Sequence, residues 1–274
     1  MQIGTTEAGA IGLGTAPLAF RDVARDRAVA LIREAVDRGV RLIDTALAYT
    51  RPDEPSWAEE TVAAALSAFR PQQRPLVATK GGHWREGDRF PVDGRPETLR
   101  RHCRISLETL GVDRLDLYQL HHVDPSVPLG ESVGALAELR DAGLIDMIGL
   151  SNVSPEQIDE AAAIAPIATV QNRLSLAEPG DLPTARHCAG RGITYLAYQP
   201  LAGGRGKIDD LPGLGQLAGA HGVSPARIAL AWLMAQSGNI LPLVGTTRTE
   251  TLNDSLASAE VRLSDTELSS LRGA

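Results

Sequence analysis

The chain has 274 residues, of which 43% are apolar and 22% charged, as in an ordinary globular protein of one large or two small domains. Its formal net charge of −7 argues against a nucleic-acid partner or an anionic membrane surface. No apolar run approaches a membrane span, and the N-terminus lacks the basic segment of a secretion signal, so we expect a cytoplasmic protein. Cys103 and Cys188 have no metal-ligand spacing and are expected to stay reduced.

Eight short apolar runs are predicted to be strands. Most are apolar at consecutive positions, which is typical of parallel strands covered by helices on both faces. In chain order they are Ile11–Gly14, Leu42–Ala46, Leu76–Lys80, Leu115–His121, Met147–Ser151, Thr169–Asn172, Ile193–Tyr198 and Leu241–Gly245.

Helical patterns lie between these runs. Arg25–Arg38 repeats apolar residues at helical spacing and is followed by Gly39. Ser154 and Ser224 each precede a proline, the order expected at a helix N-terminus, and the second of these helices should run to about Gln236. Three further glycines are expected to end helices in the left-handed conformation, namely Gly143, Gly192 and Gly222.

Strands that alternate with helices fit either a closed (β/α)8 barrel or an open doubly wound sheet. An open sheet that binds a dinucleotide should carry G-x-G-x-x-G after its first strand, but here Pro17 stands in the place of the third glycine after Gly12 and Gly14. No linker or change of composition divides the chain. The sequence therefore predicts an α/β protein, a single-domain (β/α)8 TIM barrel over residues 1–274.

Polar side chains stand at the ends of three consecutive predicted strands. Asp44 follows the second strand with Tyr49 in the loop beyond, Lys80 ends the third, and His121 ends the fourth. Each has an ordinary structural explanation, as a turn former or a packed core residue. Lys80 is the hardest to explain in that way, because an unpaired buried ammonium is very costly. Since the C-terminal ends of barrel strands surround one mouth, we expect all four to meet there.

Together the four residues would make a proton donor. A tyrosine holds its proton at neutral pH, with an ordinary pKa near ~10, and a lysine close by lowers that pKa. An aspartate would keep the lysine charged, and a histidine beside the same oxygen could polarise a carbonyl. We predict that Tyr49 is the general acid of a carbonyl reduction by hydride transfer, assisted by Lys80, Asp44 and His121.

Several motifs in order resemble the aldo-keto reductases over nearly the whole chain. The resemblance implies a (β/α)8 barrel of a bacterial type that binds NADPH in an extended form, with the catalytic tetrad at Asp44, Tyr49, Lys80 and His121. The matching segments are Gly12–Thr15, Leu42–Ala46 with Tyr49, Ala78–Lys80, Asp116–His121, Ile148–Val153, Val170–Asn172 and Ala197–Leu201.

The resemblance also implies a set of coenzyme contacts. Ser151, Asn152 and Gln171 correspond to ligands of the nicotinamide carboxamide, and Tyr198 to the ring that stacks on the nicotinamide. The backbone of residues 199–201 would hold the pyrophosphate. The remaining expected contacts are Gly14, Thr15, Asp44, Gln199, Pro200, Leu201, Gly245, Thr246 and Arg248.

The region expected to bind the 2′-phosphate of NADPH departs from the commonest family pattern. Many members have a basic residue where Gly245 or Thr251 stands. Arg248 remains at the start of a helix, where backbone amides and a guanidinium can hold a phosphate, although such an arginine can equally be a solvated surface residue. NADPH is the expected coenzyme, and NADH is the alternative.

The substrate is expected to be a small-molecule carbonyl compound in an open, shallow pocket. The loops over residues 122–130 and 202–210 are short to moderate, and the long C-terminal tail of many relatives is missing. With three Phe, four Tyr and three Trp in the chain, we do not expect a strongly aromatic pocket. The expected walls are Leu47, Trp84, His122 and Val123.

Other functions and assemblies stay open. The segment 228–246 resembles the bacterial pyridoxal-reducing branch of the family, which suggests a pyridoxal reductase or pyridoxine dehydrogenase. A cofactor-binding regulatory subunit, similar to potassium-channel β subunits, could keep the same tetrad. No metal is expected, because the adjacent pair His121 and His122 lacks a third ligand with plausible spacing. We expect a monomer or a weak homo-oligomer.

Overall fold

The computed structural model describes residues 1–204 and 208–271. Within these ranges eight parallel strands close into a barrel, in which the last strand pairs with both the first and the seventh barrel strand. Helices cover its outside, and the predicted (β/α)8 TIM barrel is confirmed. Part of the predicted loop 202–210, with Lys207, lies outside the described residues.

The strands fall close to the predicted positions. Differences are confined to strand ends: the strand predicted to end at Ala46 ends at Asp44, and the strand predicted from Met147 begins at Ile145, which pairs with Leu115. The strands are β1 (Gln2–Ile3), β2 (Thr6–Glu7), β3 (Gly12–Gly14), β4 (Leu42–Asp44), β5 (Leu76–Gly81), β6 (Leu115–Leu120), β7 (Ile145–Ser151), β8 (Ile167–Arg173), β9 (Thr194–Tyr198) and β10 (Ile240–Gly245).

Helices alternate with the barrel strands in chain order. The helices are α1 (Ala16–Phe20), α2 (Arg25–Asp37), α3 (Trp57–Leu66), α4 (Pro96–Leu110), α5 (Leu129–Asp141), α6 (Pro155–Ala162), α7 (Leu182–Ala189), α8 (Leu214–His221), α9 (Pro225–Gln236), α10 (Thr249–Leu256) and α11 (Asp265–Ser270).

The predicted helix boundaries follow from their capping residues. Ser154 caps α6 by accepting a hydrogen bond from Gln157 N at 3.3 Å, while the Gln157 side chain accepts one from Ser154 N at 3.0 Å, a reciprocal capping box. Ser224 caps α9 in the same position and accepts a hydrogen bond from Arg227 N at 3.2 Å. Left-handed φ angles of +75°, +70° and +63° confirm the three predicted helix-ending glycines Gly143, Gly192 and Gly222.

The interior of the barrel is apolar at one end and polar at the other. Leu42, Leu76 and Leu117 belong to a buried cluster that fills the N-terminal end. Because alternate residues of a strand point to the same side, Asp44 and Lys80 also point inward, two and four residues further along β4 and β5. The same strands therefore supply both the apolar floor and the polar groups at the mouth.

The hairpin of β1 and β2 closes the N-terminal end of the barrel and was not predicted. Its Ile3 is fully buried and packs in the same apolar cluster as Leu42 and Leu117. Two-residue strands carry too little periodicity to be recognised in the sequence.

Across residues 1–204 and 208–271, no helix has the combination of length and apolar character needed to cross a membrane.

Replacing Gly81 at the end of β5 should strongly destabilise the barrel. A Cβ at this position would lie 1.8 Å from the hydroxyl oxygen of Tyr118, whose ring is fully buried and whose hydroxyl donates to Leu99 O at 3.1 Å. We expect Gly81→Ala to lower the free energy of unfolding by about 3 kcal/mol, measured by urea denaturation.

The matched control is Gly134→Ala in the middle of α5. A Cβ there meets no atom within 4 Å, so we expect a gain of about 0.5–1 kcal/mol from the better helix former. Equal unfolding midpoints for Gly81→Ala and the wild type would contradict this reading of the β5 packing.

Candidate active site

Lys80 lies at the centre of a buried polar cluster at the C-terminal end of the barrel. Its Nζ is 2.7 Å from Asp44 Oδ1, 2.8 Å from the carbonyl oxygen of Thr45 and 3.2 Å from the Tyr49 hydroxyl. The side chain of Lys80 is fully buried. Each of the three ammonium protons therefore has an acceptor, which is the condition for keeping a charge inside a protein.

Asp44 is held from two further sides. Its Oδ1 also accepts a hydrogen bond from Gln171 Nε2 at 2.7 Å, and its carbonyl oxygen accepts two from Thr15, from N at 2.9 Å and from Oγ1 at 3.0 Å. Only 3% of Asp44 is exposed. Gln171 of β8 thus holds the carboxylate that faces Lys80, and the loop after β3 holds the backbone that carries it.

Burial and charge set the protonation states in this cluster. Burial raises the pKa of Tyr49, and although Lys80 lowers it, as expected, the net shift is upward. The predicted lowering by Lys80 is present, but desolvation of the phenol is the larger effect. Burial opposes the charge on Lys80, yet Asp44 and Tyr49 hold its pKa above the ordinary value. Tyr49 keeps its proton at neutral pH, and Lys80 stays an ammonium.

His121 lies beside Tyr49, with 5.8 Å between the ring centroids in an edge-on arrangement. Burial lowers the pKa of His121 well below its usual range, and Lys80, His83 and His122 lower it further. The ring is therefore neutral at pH 7. Its Nδ1 is buried and has no hydrogen-bond partner among the described residues.

Ser151, Asn152 and Tyr198 form one hydrogen-bonded group next to His121. The Tyr198 hydroxyl donates to Asn152 Oδ1 at 2.8 Å, and Asn152 Nδ2 donates to the carbonyl oxygen of His121 at 2.9 Å. Ser151 Oγ donates to the carbonyl oxygen of Gln171 at 2.9 Å. Asn152 has a left-handed φ of 59°, which asparagine tolerates better than most residues, so the turn aims its amide at the cluster.

A cavity of about 420 Å³ opens above this cluster. Most of the predicted site residues border it: Gly14, Asp44, Tyr49, His121, His122, Ser151, Asn152, Gln171, Tyr198, Gln199 and Gly245.

Two further cavities continue the first into a trough. A cavity of about 200 Å³ shares Pro17, Arg21 and Gly245 with the first, and a cavity of about 340 Å³ shares Arg21 and Arg248 with the second. Besides Gly245, four predicted coenzyme contacts border the second cavity, namely Pro200, Leu201, Thr246 and Arg248. The predicted contact Thr15 is 1% exposed and lies behind Asp44 instead.

Three of the four predicted substrate walls do not border the cavity. Trp84 packs edge-on against His102 of α4, with 5.2 Å between the ring centroids, and Val123 packs against the outer apolar core. Leu47 is 8% exposed. Of the predicted walls only His122 borders the cavity.

The sequence analysis missed three aromatic residues near the mouth: Phe20 borders the cavity, and Phe90 and His83 pack next to rings that border it. Phe20 lies 5.9 Å from the Tyr49 ring and 6.3 Å from Phe90, and His83 lies 4.9 Å from His121 and 5.7 Å from Phe90, measured between ring centroids. The expectation that the pocket is not strongly aromatic rested on the aromatic content of the whole chain. These rings all follow the C-terminal ends of strands, so their positions, rather than their number in the chain, indicate that they lie near the mouth.

Comparisons with known proteins find matches over nearly the whole chain. The sequence model of the Aldo/keto reductase family matches residues 10–274. Pyridoxine 4-dehydrogenase of Escherichia coli (strain K12) is 33% identical, over 99% of this chain and 96% of that protein.

Solved structures superpose over nearly the whole chain. Glycerol dehydrogenase from Gluconobacter oxydans is 28% identical with a TM-score of 0.88, over 100% of this chain and 94% of that one. An aldo/keto reductase from Klebsiella pneumoniae, solved with NADP and acetate, is 29% identical with a TM-score of 0.81, over 96% of this chain and 90% of that one.

The histidines at the mouth should make stability fall in acid. Burial lowers the pKa of His83 and of His121, and lowers that of His122 to about 4. A histidine in the unfolded chain takes up its proton near pH ~6.5. Below that pH the unfolded state therefore binds more protons than the folded state, in which these histidines stay neutral. The free energy of unfolding should therefore decrease as the pH falls from about 6.5 to about 4.

Urea denaturation of the wild type and His122→Asn at pH 8, 6 and 5 measures this effect. We expect a shallower pH dependence in the variant, because one such histidine is missing, and pH 8 serves as the reference at which all these rings are neutral. Parallel pH curves for the two proteins would contradict the assignment of His122 as a neutral buried ring.

Proposed function

Because the chain belongs to the aldo/keto reductase family of oxidoreductases, we propose that it reduces an aldehyde or ketone to an alcohol with NADPH, using Tyr49 as the general acid. The observation that carries the proposal is the buried Lys80 ammonium, 2.7 Å from Asp44 and 3.2 Å from the Tyr49 hydroxyl. A carbonyl reduction needs a proton donor for the carbonyl oxygen. Tyr49 would be that donor, and Lys80 would stabilise the Tyr49 phenolate as it forms.

The lining of the trough has the chemistry to bind a nicotinamide dinucleotide. Gln171 donates to Asp44 through Nε2 and keeps its carbonyl oxygen as an acceptor for a carboxamide, beside Ser151 and Asn152. The Tyr198 ring borders the cavity and would pack on the nicotinamide. A Cβ on Gly245 would lie 2.5 Å from Pro17 Cγ, so a larger residue would not fit in the narrow wall between the two cavities. Bound NADPH would supply the hydride.

The chain's own residues handle the proton. The substrate carbonyl oxygen would accept hydrogen bonds from Tyr49 and from the neutral His121. As negative charge develops on that oxygen, the Tyr49 hydroxyl gives up its proton, and the Lys80 ammonium stabilises the phenolate that forms. Asp44 keeps Lys80 charged and fixed throughout.

The far end of the trough supports NADPH rather than NADH. Arg21, Arg27 and Arg248 all border the cavity of about 340 Å³ there. Asp22, the acidic residue among its lining residues, lies 3.3 Å from Arg51. A cavity with three guanidinium groups fits the additional 2′-phosphate of NADPH. These arginines would take the place of the basic residues missing at positions 245 and 251.

Reduction of pyridoxal is the second candidate function. The 33% identity to pyridoxine 4-dehydrogenase favours it. All the proposed catalytic groups come from one chain, so we propose that a single copy suffices for either reaction. Including pyridoxal in a panel of aldehydes tests this candidate directly.

Tyr49→Phe should abolish reduction without removing coenzyme binding. Loss of the general acid is expected to lower kcat/KM for 4-nitrobenzaldehyde about 10²–10⁴-fold, followed by the absorbance of NADPH, while the Kd for NADPH changes little. Tyr118→Phe, at a fully buried tyrosine of the core, is the control and should remain active. A Tyr49→Phe protein as active as the wild type would refute the proposed role.

Arg27→Ala and Arg248→Ala should each weaken NADPH binding and leave NADH binding nearly unchanged. A lost hydrogen bond to a charged group costs about 1.5–3 kcal/mol, so the Kd for NADPH should rise about tenfold or more in a fluorescence titration. Arg33→Ala is the control, since the Arg33 side chain on the same helix α2 instead bonds the carbonyl oxygens of Ala64 and Ala65. Equal weakening of NADPH and NADH would contradict the phosphate assignment.

A further inference from the structure

The loop between β5 and α4 folds back as a small hairpin at the rim of the mouth. His83 forms a bridge with Val92, and Glu86 forms one with Arg89. This hairpin brings His83 next to His121, with 4.9 Å between the ring centroids, and next to His122, with 4.8 Å. Residues 83–92 therefore form a wall behind His121 and His122, which border the cavity, next to the residues that handle the proton.

The rim of this wall is apolar and open to solvent. Phe90 is 39% exposed and Phe20, across from it, is 50% exposed, with 6.3 Å between the ring centroids. Exposed large apolar side chains grouped at a cavity mark a binding surface for an apolar partner. Aromatic side chains favour a planar ring through edge-on and offset contacts. The rim thus favours substrates with an aromatic body.

His83 adds one polar group of defined direction to this wall. Its Nδ1 lies 2.9 Å from the carbonyl oxygen of Pro91, and because a carbonyl only accepts, Nδ1 carries the ring proton. Burial lowers the pKa of His83, which leaves the ring neutral at pH 7. Its Nε2 is then an acceptor with a free lone pair.

The place of this acceptor relative to the reacting carbonyl follows from the order of the rings. The His121 ring lies 5.8 Å from the Tyr49 ring, and the His83 ring lies 4.9 Å from the His121 ring, measured between centroids. His83 therefore lies one ring further along the wall than the residue that would meet the carbonyl oxygen. A ring substituent on an aryl carbonyl compound would point toward it.

We propose that His83 is a specificity-determining residue, which accepts a hydrogen bond from a ring hydroxyl of the substrate while Phe20 and Phe90 pack on its ring. The substrate class is then the hydroxyl-substituted aromatic aldehydes and ketones. This inference rests on the proposed carbonyl reduction and adds the recognition of the substrate to it.

The test compares 3-hydroxybenzaldehyde with 3-methoxybenzaldehyde, and the two 4-substituted isomers, at about pH 6, where the phenols keep their protons. The hydroxyl and methoxy groups have similar electronic effects on the carbonyl, but only the hydroxyl can donate. One hydrogen bond should favour a hydroxyl isomer in kcat/KM by about tenfold, mostly through KM.

The ratio between the paired substrates should collapse to about one in His83→Phe and persist in part in His83→Gln, whose amide oxygen can still accept. His187→Phe, at a surface histidine of α7 beside Asp159, is the control and should keep the wild-type ratio. Equal kcat/KM for the paired substrates in the wild type, or an unchanged ratio in His83→Phe, would overturn the proposal.

A binding measurement separates this inference from the proposed function. If none of the aldehydes is reduced, the proposed function fails, and calorimetry with 3-hydroxybenzamide and 3-methoxybenzamide still tests His83. The wild type should bind the hydroxyl amide more tightly, and His83→Phe should bind the two alike. Equal affinities in the wild type would overturn the role of His83 independently of turnover.

Discussion

An ammonium group with no access to solvent sets the arrangement of the candidate site. Lys80 is fully buried, and its cost of desolvation requires partners for all three of its protons. Asp44, the carbonyl oxygen of Thr45 and the Tyr49 hydroxyl meet that requirement at 2.7, 2.8 and 3.2 Å. Because Tyr49 is one of these acceptors, the contacts that offset the desolvation of Lys80 also hold the Tyr49 hydroxyl at the mouth, next to the Lys80 ammonium.

The barrel makes this arrangement possible by changing the character of its interior along each strand. Leu42 and Ala78 belong to the apolar cluster that fills the N-terminal end, while Asp44 and Lys80 follow them on the same inward-facing side. Closure of the sheet then brings residues far apart in the chain into one network, as in the hydrogen bond from Gln171 of β8 to Asp44 of β4. The trough that continues from this network toward Arg248 explains how one end of the barrel could hold a long coenzyme and a small substrate together.

The strands and the four central polar residues could be predicted because their positions depend on periodicity and on topology. An apolar run buried on both faces indicates a parallel strand, and its last residue must lie at the mouth. The rim could not be predicted in the same way, since Trp84 and His83 are adjacent in one loop yet face opposite directions. Trp84 packs on His102, whereas His83 packs on His121. The upward net shift in the pKa of Tyr49 also depends on burial that only the folded chain shows.

The most direct measurement of the central claim is the pKa of Tyr49 with and without the lysine. Nuclear magnetic resonance of ring-labelled tyrosine would follow its ionisation in the wild type and in Lys80→Met, with Tyr49→Phe assigning the signal and the other three tyrosines of the chain reporting on the fold. If the Lys80 ammonium stabilises the phenolate, the Tyr49 transition moves to higher pH in Lys80→Met. A transition at the same or a lower pH would contradict the coupling on which the proposed proton transfer depends.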